Sequence, residues 1–101
     1  KFNEQSDIKI GNYIFNLNSR EMKNEDQNLK LTEKEISSII YLFSAKKPVK
    51  VNELQLKVWG YHSDLETHTV ETHIYRLRKK ILKKFKDNNF IGSTNNGYQI
   101  K

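Results

Sequence analysis

THTVETHIYRLRKKILKKF, residues 67–85, is the stretch on which the fold turns. Val70, Ile74, Leu77, Ile81 and Phe85 step by four, three, four and four, the spacing that keeps apolar side chains on one face of an α-helix. Thr67 stands where it can cap that helix. At ~100° per residue, the opposite side carries Thr69, Thr72, Arg76, Lys79 and Lys83, with His73, Tyr75 and Lys80 flanking them. One side is made to pack; the other offers hydrogen-bond donors and positive charge.

Downstream, Lys86-Asp87-Asn88-Asn89 breaks the pattern, and Phe90 to Ile100 reads as two strands around a polar tip, a hairpin. Upstream lies a polar loop from Tyr61 to Glu66. Before it, Asn52 with Gln55 suggests a capped start, and Leu54 with Val58 a stripe, for a short helix ending near Trp59-Gly60. Thr32 with Glu35 is a second capping-box pattern. It opens a helix whose Ile36, Ile39, Ile40 and Phe43 share a face until Lys46-Lys47-Pro48 stops it. Val49 and Val51 read as a short extended link.

The first thirty residues alternate in bursts: Ile8 and Ile10; Tyr13, Phe15 and Leu17; Met22; Leu29 and Leu31. Period two predicts strands. Gly11-Asn12, Asn18-Ser19 and Asn24 to Asn28 supply turns, so a four-stranded antiparallel meander is expected. The whole is an α+β chain: residues 1–31 a sheet, 32–86 a three-helix core, 90–101 a closing hairpin. Its 101 residues suit one domain.

Charge narrows the function. Residues 1–66 hold ten basic and ten acidic groups, whereas 68–101 hold eight basic groups against Glu71 and Asp87, which is the entire net charge of +6. Such asymmetry points to a polyanionic partner. The absence of cysteine excludes disulfides, Cys-ligated zinc and thiol catalysis. The longest apolar run, Ile39 to Phe43, is five residues, against ~20 for a membrane span. The sole methionine is Met22 and the chain opens at Lys1, which reads as a piece of a longer translation product.

A B-DNA major groove admits a helix, and an Arg can bond bidentately to guanine. Arg76 is the natural base reader, with Thr69 and Thr72 short enough for close approach, and the lysines suit phosphates. A short helix, a loop, a basic amphipathic helix and a polar hairpin together resemble a winged helix-turn-helix. The residues are also similar to a particular family. Thr69 to Ile81 resembles the recognition helix of the OmpR/PhoB-type response-regulator effector domains. Leu31-Thr32-Glu33-Lys34-Glu35, Val58-Trp59-Gly60-Tyr61 and Asn96-Gly97-Tyr98-Gln99-Ile100 match that family's first helix start, second helix end and wing, in order.

The resemblance covers nearly the whole chain. It implies a winged helix behind a four-stranded N-terminal sheet, joined in the full-length protein to an upstream receiver domain phosphorylated on aspartate. It implies sequence-specific binding of double-stranded DNA, in a bacterial cytoplasm, to control transcription. Thr69, Thr72 and Arg76 would face bases. Trp59, His68, His73, Tyr75, Arg78, Lys79, Lys80 and Lys83 would approach phosphates. Thr94, Asn95, Asn96 and Tyr98 would form the wing near the minor groove. The loop 60–68 resembles the segment that touches RNA polymerase in some members, and a second copy on a tandem half-site is a further expected partner. His68 and Tyr75 stand where the family often has Arg, and Thr94 where a wing Arg often enters the minor groove.

Competing readings are few. A winged helix that docks an acidic protein would use the same basic face on carboxylates. Single-stranded nucleic acid wants interleaved aromatic platforms, and the helix exposes only Tyr75. His68 and His73 stand five apart, ~140° around a helix, so no metal or cofactor is expected. No nucleophile has an evident base and orienter, so no enzyme is expected.

Overall fold

The computed structural model describes residues 7–60 and 66–100. Four strands, β1 (Asp7–Ile10), β2 (Tyr13–Asn16), β3 (Glu21–Asn24) and β4 (Gln27–Lys30), form an antiparallel sheet in the order β1-β2-β3-β4. Ile8 pairs with Phe15, Phe15 with Met22, and Met22 with Leu29. Because these partners share one face, the register lays an apolar row across the sheet, with Ile10 and Tyr13 beside it. The third turn is tighter than the polar run Asn24 to Asn28 suggests. Asn24 pairs with Gln27, leaving only Glu25 and Asp26 at the corner, where Glu25 adopts φ 56°.

Three helices follow: α1 (Glu33–Ala45), α2 (Val51–Trp59) and α3 (Thr67–Phe85). The capping box opening α1 is complete. Thr32 Oγ1 accepts from the Glu35 amide at 3.2 Å, and Glu35 Oε1 accepts from the Thr32 amide at 2.8 Å. The Asn52–Gln55 pattern does not cap α2. Helix α2 starts at Val51 with Lys50 as its N-cap, and Asn52 Oδ1 accepts from the adjacent Glu53 amide. Val49 explains the shift. Its amide and carbonyl both bond Tyr98 (2.8 and 2.9 Å), so the chain turns helical as soon as it leaves this bridge. Val51 is therefore helical rather than part of an extended link. Likewise Glu66, not Thr67, is the N-cap of α3, its carbonyl accepting from Thr69 at 2.9 Å.

The hairpin is β5 (Gly92–Thr94) with β6 (Gly97–Gln99). Phe90 and Ile91 precede it as packing residues rather than strand. Phe90 lies 5.1 Å from Tyr13 and 5.9 Å from Phe15 between ring centroids, and Phe85 lies 5.1 Å from Tyr13, so aromatic contacts join the sheet to the end of α3. Val70, Ile74, Leu77 and Ile81 are each at most 1% exposed. At ~1.5–3 kcal/mol per buried side chain of this size, they account for the stability of a helix that is polar elsewhere. The architecture is a winged helix-turn-helix behind an N-terminal sheet.

Candidate nucleic-acid interface

Once α3 has buried its apolar side, its other face stands open. Thr69, Arg76, Lys79, Lys83 and His68 are exposed, Tyr75 is 59% exposed, and Thr72 and Arg78 are half-buried. Lys79 places its ammonium 5.6 Å from the Tyr75 ring centroid, a cation–π pair at the surface. Among the described residues, the one ion pair is Lys80 with Glu35 at 2.9 Å. Arg76, Arg78, Lys79 and Lys83 are thus paired with no carboxylate there.

Three of the expected phosphate residues turn inward. Lys80 spends its ammonium on Glu35. The His73 ring meets Trp59 edge-on, 5.1 Å between centroids, and its Nε2 is enclosed without a hydrogen-bond partner among the described residues. Burial pulls the His73 pKa below its ordinary value and Lys80 adds to that, against an opposing pull from Glu35. The net effect favours the neutral ring. Trp59 is half-buried at the end of α2, with this contact on one edge.

The hairpin stands beside the start of α3. Thr94, Asn95 and Asn96 are exposed at its tip, where Thr94 Oγ1 accepts from the Asn96 amide (3.0 Å) and donates to the Gly97 carbonyl (3.2 Å). Tyr98 is half-buried, and its phenol is pushed up chiefly by burial, with Glu71 adding and Arg78 opposing. Gly97, at φ 127°, lies so close to the 49–50 backbone that a Cβ there would overlap the Val49 carbonyl and stand 2.9 Å from the Lys50 nitrogen. Glycine is what lets the hairpin sit on the segment leading into α2.

That arrangement opens a cleft of about 470 Å³ between the hairpin and the starts of α2 and α3, with Lys50, Asn52, Thr67, Ser93 and Asn95 on its walls. Sequence reasoning missed Lys50, Asn52 and Ser93. Residues 61–65 of the loop expected to meet RNA polymerase lie outside the described residues. No group of three or more His, Asp or Glu suited to a metal occurs among the described residues, and no helix there is long and apolar enough to cross a membrane.

Residues 26–100 match the family model described as "Transcriptional regulatory protein, C terminal". The chain belongs to the OmpR/PhoB-type effector domains. This effector domain is 30% identical over 95 residues to the transcriptional regulatory protein DltR of Streptococcus agalactiae, covering 93% of the present chain and 42% of DltR. It is 32% identical over 83 residues to CiaR of Streptococcus pneumoniae, covering 80% of the chain and 36% of CiaR. The chain therefore spans less than half the length of these curated relatives. The fold is shared with the DNA-binding domain of Escherichia coli CadC, at TM-score 0.84 and 20% identity over 98% of this chain and 94% of that one. It is shared too with the DNA-binding domain of the response regulator AdeR, solved in complex with an intercistronic region, at TM-score 0.76 and 22% identity over 93% of this chain and 98% of that one. The family is one of transcription regulators and not of enzymes.

Proposed function

We propose that this effector domain binds double-stranded DNA sequence-specifically and so controls transcription, with α3 in the major groove and the β5–β6 hairpin near the minor groove. One observation carries the reading: the face of α3 opposite the core is open and cationic, with no carboxylate among the described residues paired to Arg76, Lys79 or Lys83. The AdeR domain, of the same fold, was solved on DNA, which supports the same use of the face here.

Arg76 is the base reader, aided by Thr69 and Thr72, because a guanidinium matches guanine O6 and N7 bidentately. His68, Tyr75, Arg78, Lys79 and Lys83 approach phosphates, and Thr94, Asn95, Asn96 and Tyr98 serve the wing. In the whole protein, an upstream receiver domain, a second copy on a tandem half-site, and RNA polymerase at residues 60–68 complete the partners, in a bacterial cytoplasm. Arg76→Ala is expected to cost ~1–3 kcal/mol of discrimination between a selected and a scrambled duplex. A gel-shift titration in which Arg76→Ala kept its full preference would remove Arg76 from that role. A chain with no preference for any duplex at any salt would instead be an acidic-protein docking module.

A further inference from the structure

Glu35 is the one buried charged side chain among the described residues, at 7% exposure. Its Oε1 accepts two hydrogen bonds, from the Thr32 amide at 2.8 Å and from Lys80 Nζ at 2.9 Å. We propose that Glu35 and Lys80 form an internal tie that sets the rotation of α3 about its own axis, so that Lys80 is not a phosphate contact and Glu35 is a positioning residue for Arg76. The proposal rests on the duplex-binding reading above and deepens it.

The first argument is energetic. A buried carboxylate is tolerated when it is paired and hydrogen-bonded, and removing its partner leaves an uncompensated charge. If Lys80 swung out to a phosphate, Glu35 would keep only the Thr32 amide. The ammonium is therefore held by what its departure would leave behind, and its side chain is only 34% exposed even where it stands.

The second argument is geometric. The anchors Val70, Ile74, Leu77 and Ile81 all lie in one sector of α3, and apolar burial is non-directional. It holds the helix against the core, and a directional bond on the flank adds a restraint on rotation to that packing. Lys80 leaves the helix ~100° from the centre of that sector, and its bond to Glu35 is directional. Glu35 is itself fixed to the backbone by the capping box, so the tie runs from the first turn of α1 to the second half of α3. Arg76 lies one turn before Lys80, ~40° further round toward the exposed face. A side chain ~6 Å from the axis moves ~1.6 Å when a helix rotates by ~15°, more than the ~0.5 Å span of good hydrogen-bond lengths. Loss of the tie would thus reach base recognition.

The test compares Lys79→Met, Lys80→Met, Glu35→Gln and the Lys80→Met/Glu35→Gln double variant with the unchanged chain. Glutamine keeps an acceptor for the Thr32 amide and removes the charge. Affinity for a scrambled duplex is measured against salt, and preference is measured as the ratio of affinities for a selected and the scrambled duplex. Lys79→Met should flatten the plot of log K against log salt by ~0.9, whereas Lys80→Met should leave the slope unchanged. Lys80→Met and Glu35→Gln should each lower the preference ratio about threefold or more, with the double variant no worse than either, as coupled partners require. Lys80→Arg, which keeps the pair, should restore the ratio. A slope lost in Lys80→Met as in Lys79→Met overturns the proposal, and so does an undiminished preference ratio. Should Lys80→Met fail to fold, Glu35→Gln decides alone: a lower ratio without a flatter slope supports the tie, and any other result overturns it. If the unchanged chain shows no salt-dependent duplex binding, the underlying reading fails and takes the tie with it.

Discussion

Replacing Gly97 with alanine tests how the hairpin is attached to the helices. The new Cβ would overlap the Val49 carbonyl, so β6 must move off residue 49 and give up both hydrogen bonds between Val49 and Tyr98, at 2.8 and 2.9 Å. Two such bonds are worth ~0.5–1.5 kcal/mol each. Holding an L-residue at a φ of 127° adds strain of about 1–3 kcal/mol. The sum, ~2–6 kcal/mol, is large against the ~5–15 kcal/mol that holds a typical domain folded. For a domain of this size the lower half of that range corresponds to a Tm fall of ~10–25 °C. Urea unfolding followed by the fluorescence of Trp59, the single tryptophan, and by circular dichroism would measure the change. Gly11→Ala is the control, because Gly11 has a positive φ of 61° but nothing within 4 Å of a built Cβ. Its cost should be only about 1–2 kcal/mol. If Gly97→Ala cost no more than Gly11→Ala, close approach to Val49 would not be what requires glycine there.

Tyr13 donates to Asp87 Oδ2 at 2.6 Å, tying the sheet to the segment after α3, and Tyr13→Phe should cost about 1.5–3 kcal/mol in the same unfolding assay. Burial, and secondarily Asp87, push the Tyr13 phenol far above its ordinary pKa of 10.0, so its contribution is intact below pH 10.0 and is lost as the pH climbs beyond it. Tyr13→Phe should therefore flatten the alkaline fall of stability, and an unchanged profile would count against the bond. His73 works in the opposite direction. Its folded pKa lies below 6.5, so the unfolded chain takes up a proton first and stability should decline as the pH falls below 6.5. His73→Gln should remove that part of the decline, and equal acid profiles for the two chains would contradict it.

Much of the fold was legible because its signals are local. The four-three-four-four stepping of Val70 to Phe85 needs no partner to be read, and it alone separates the packed side of α3 from the side bearing Thr69, Arg76, Lys79 and Lys83. The box of Thr32 and Glu35 is local too, and it forms as expected. What escaped depends on contacts between distant parts of the chain. Helix α2 begins before Asn52 because Val49 is pinned by Tyr98, a residue far along the sequence. Asn24, Gln27 and Asn28 look like turn residues, yet the two-residue corner at Glu25-Asp26 and pairing with β3 draw them into strands. Within the candidate site, helical arithmetic put Lys80 and His73 on the flanks but could not show that Glu35 and Trp59 wait there. Lys50, Asn52 and Ser93 meet only when three segments converge.

The most direct measurement is a titration of the isotopically labelled chain with a duplex selected from a random pool, followed residue by residue by NMR. The account predicts shifts concentrated at the amides of Thr69 and Thr72, the Arg76 side chain and the hairpin tip at Thr94 to Asn96, with the outer face of the β1–β4 sheet silent. Shifts confined to that sheet, with α3 unperturbed at saturation, would contradict it.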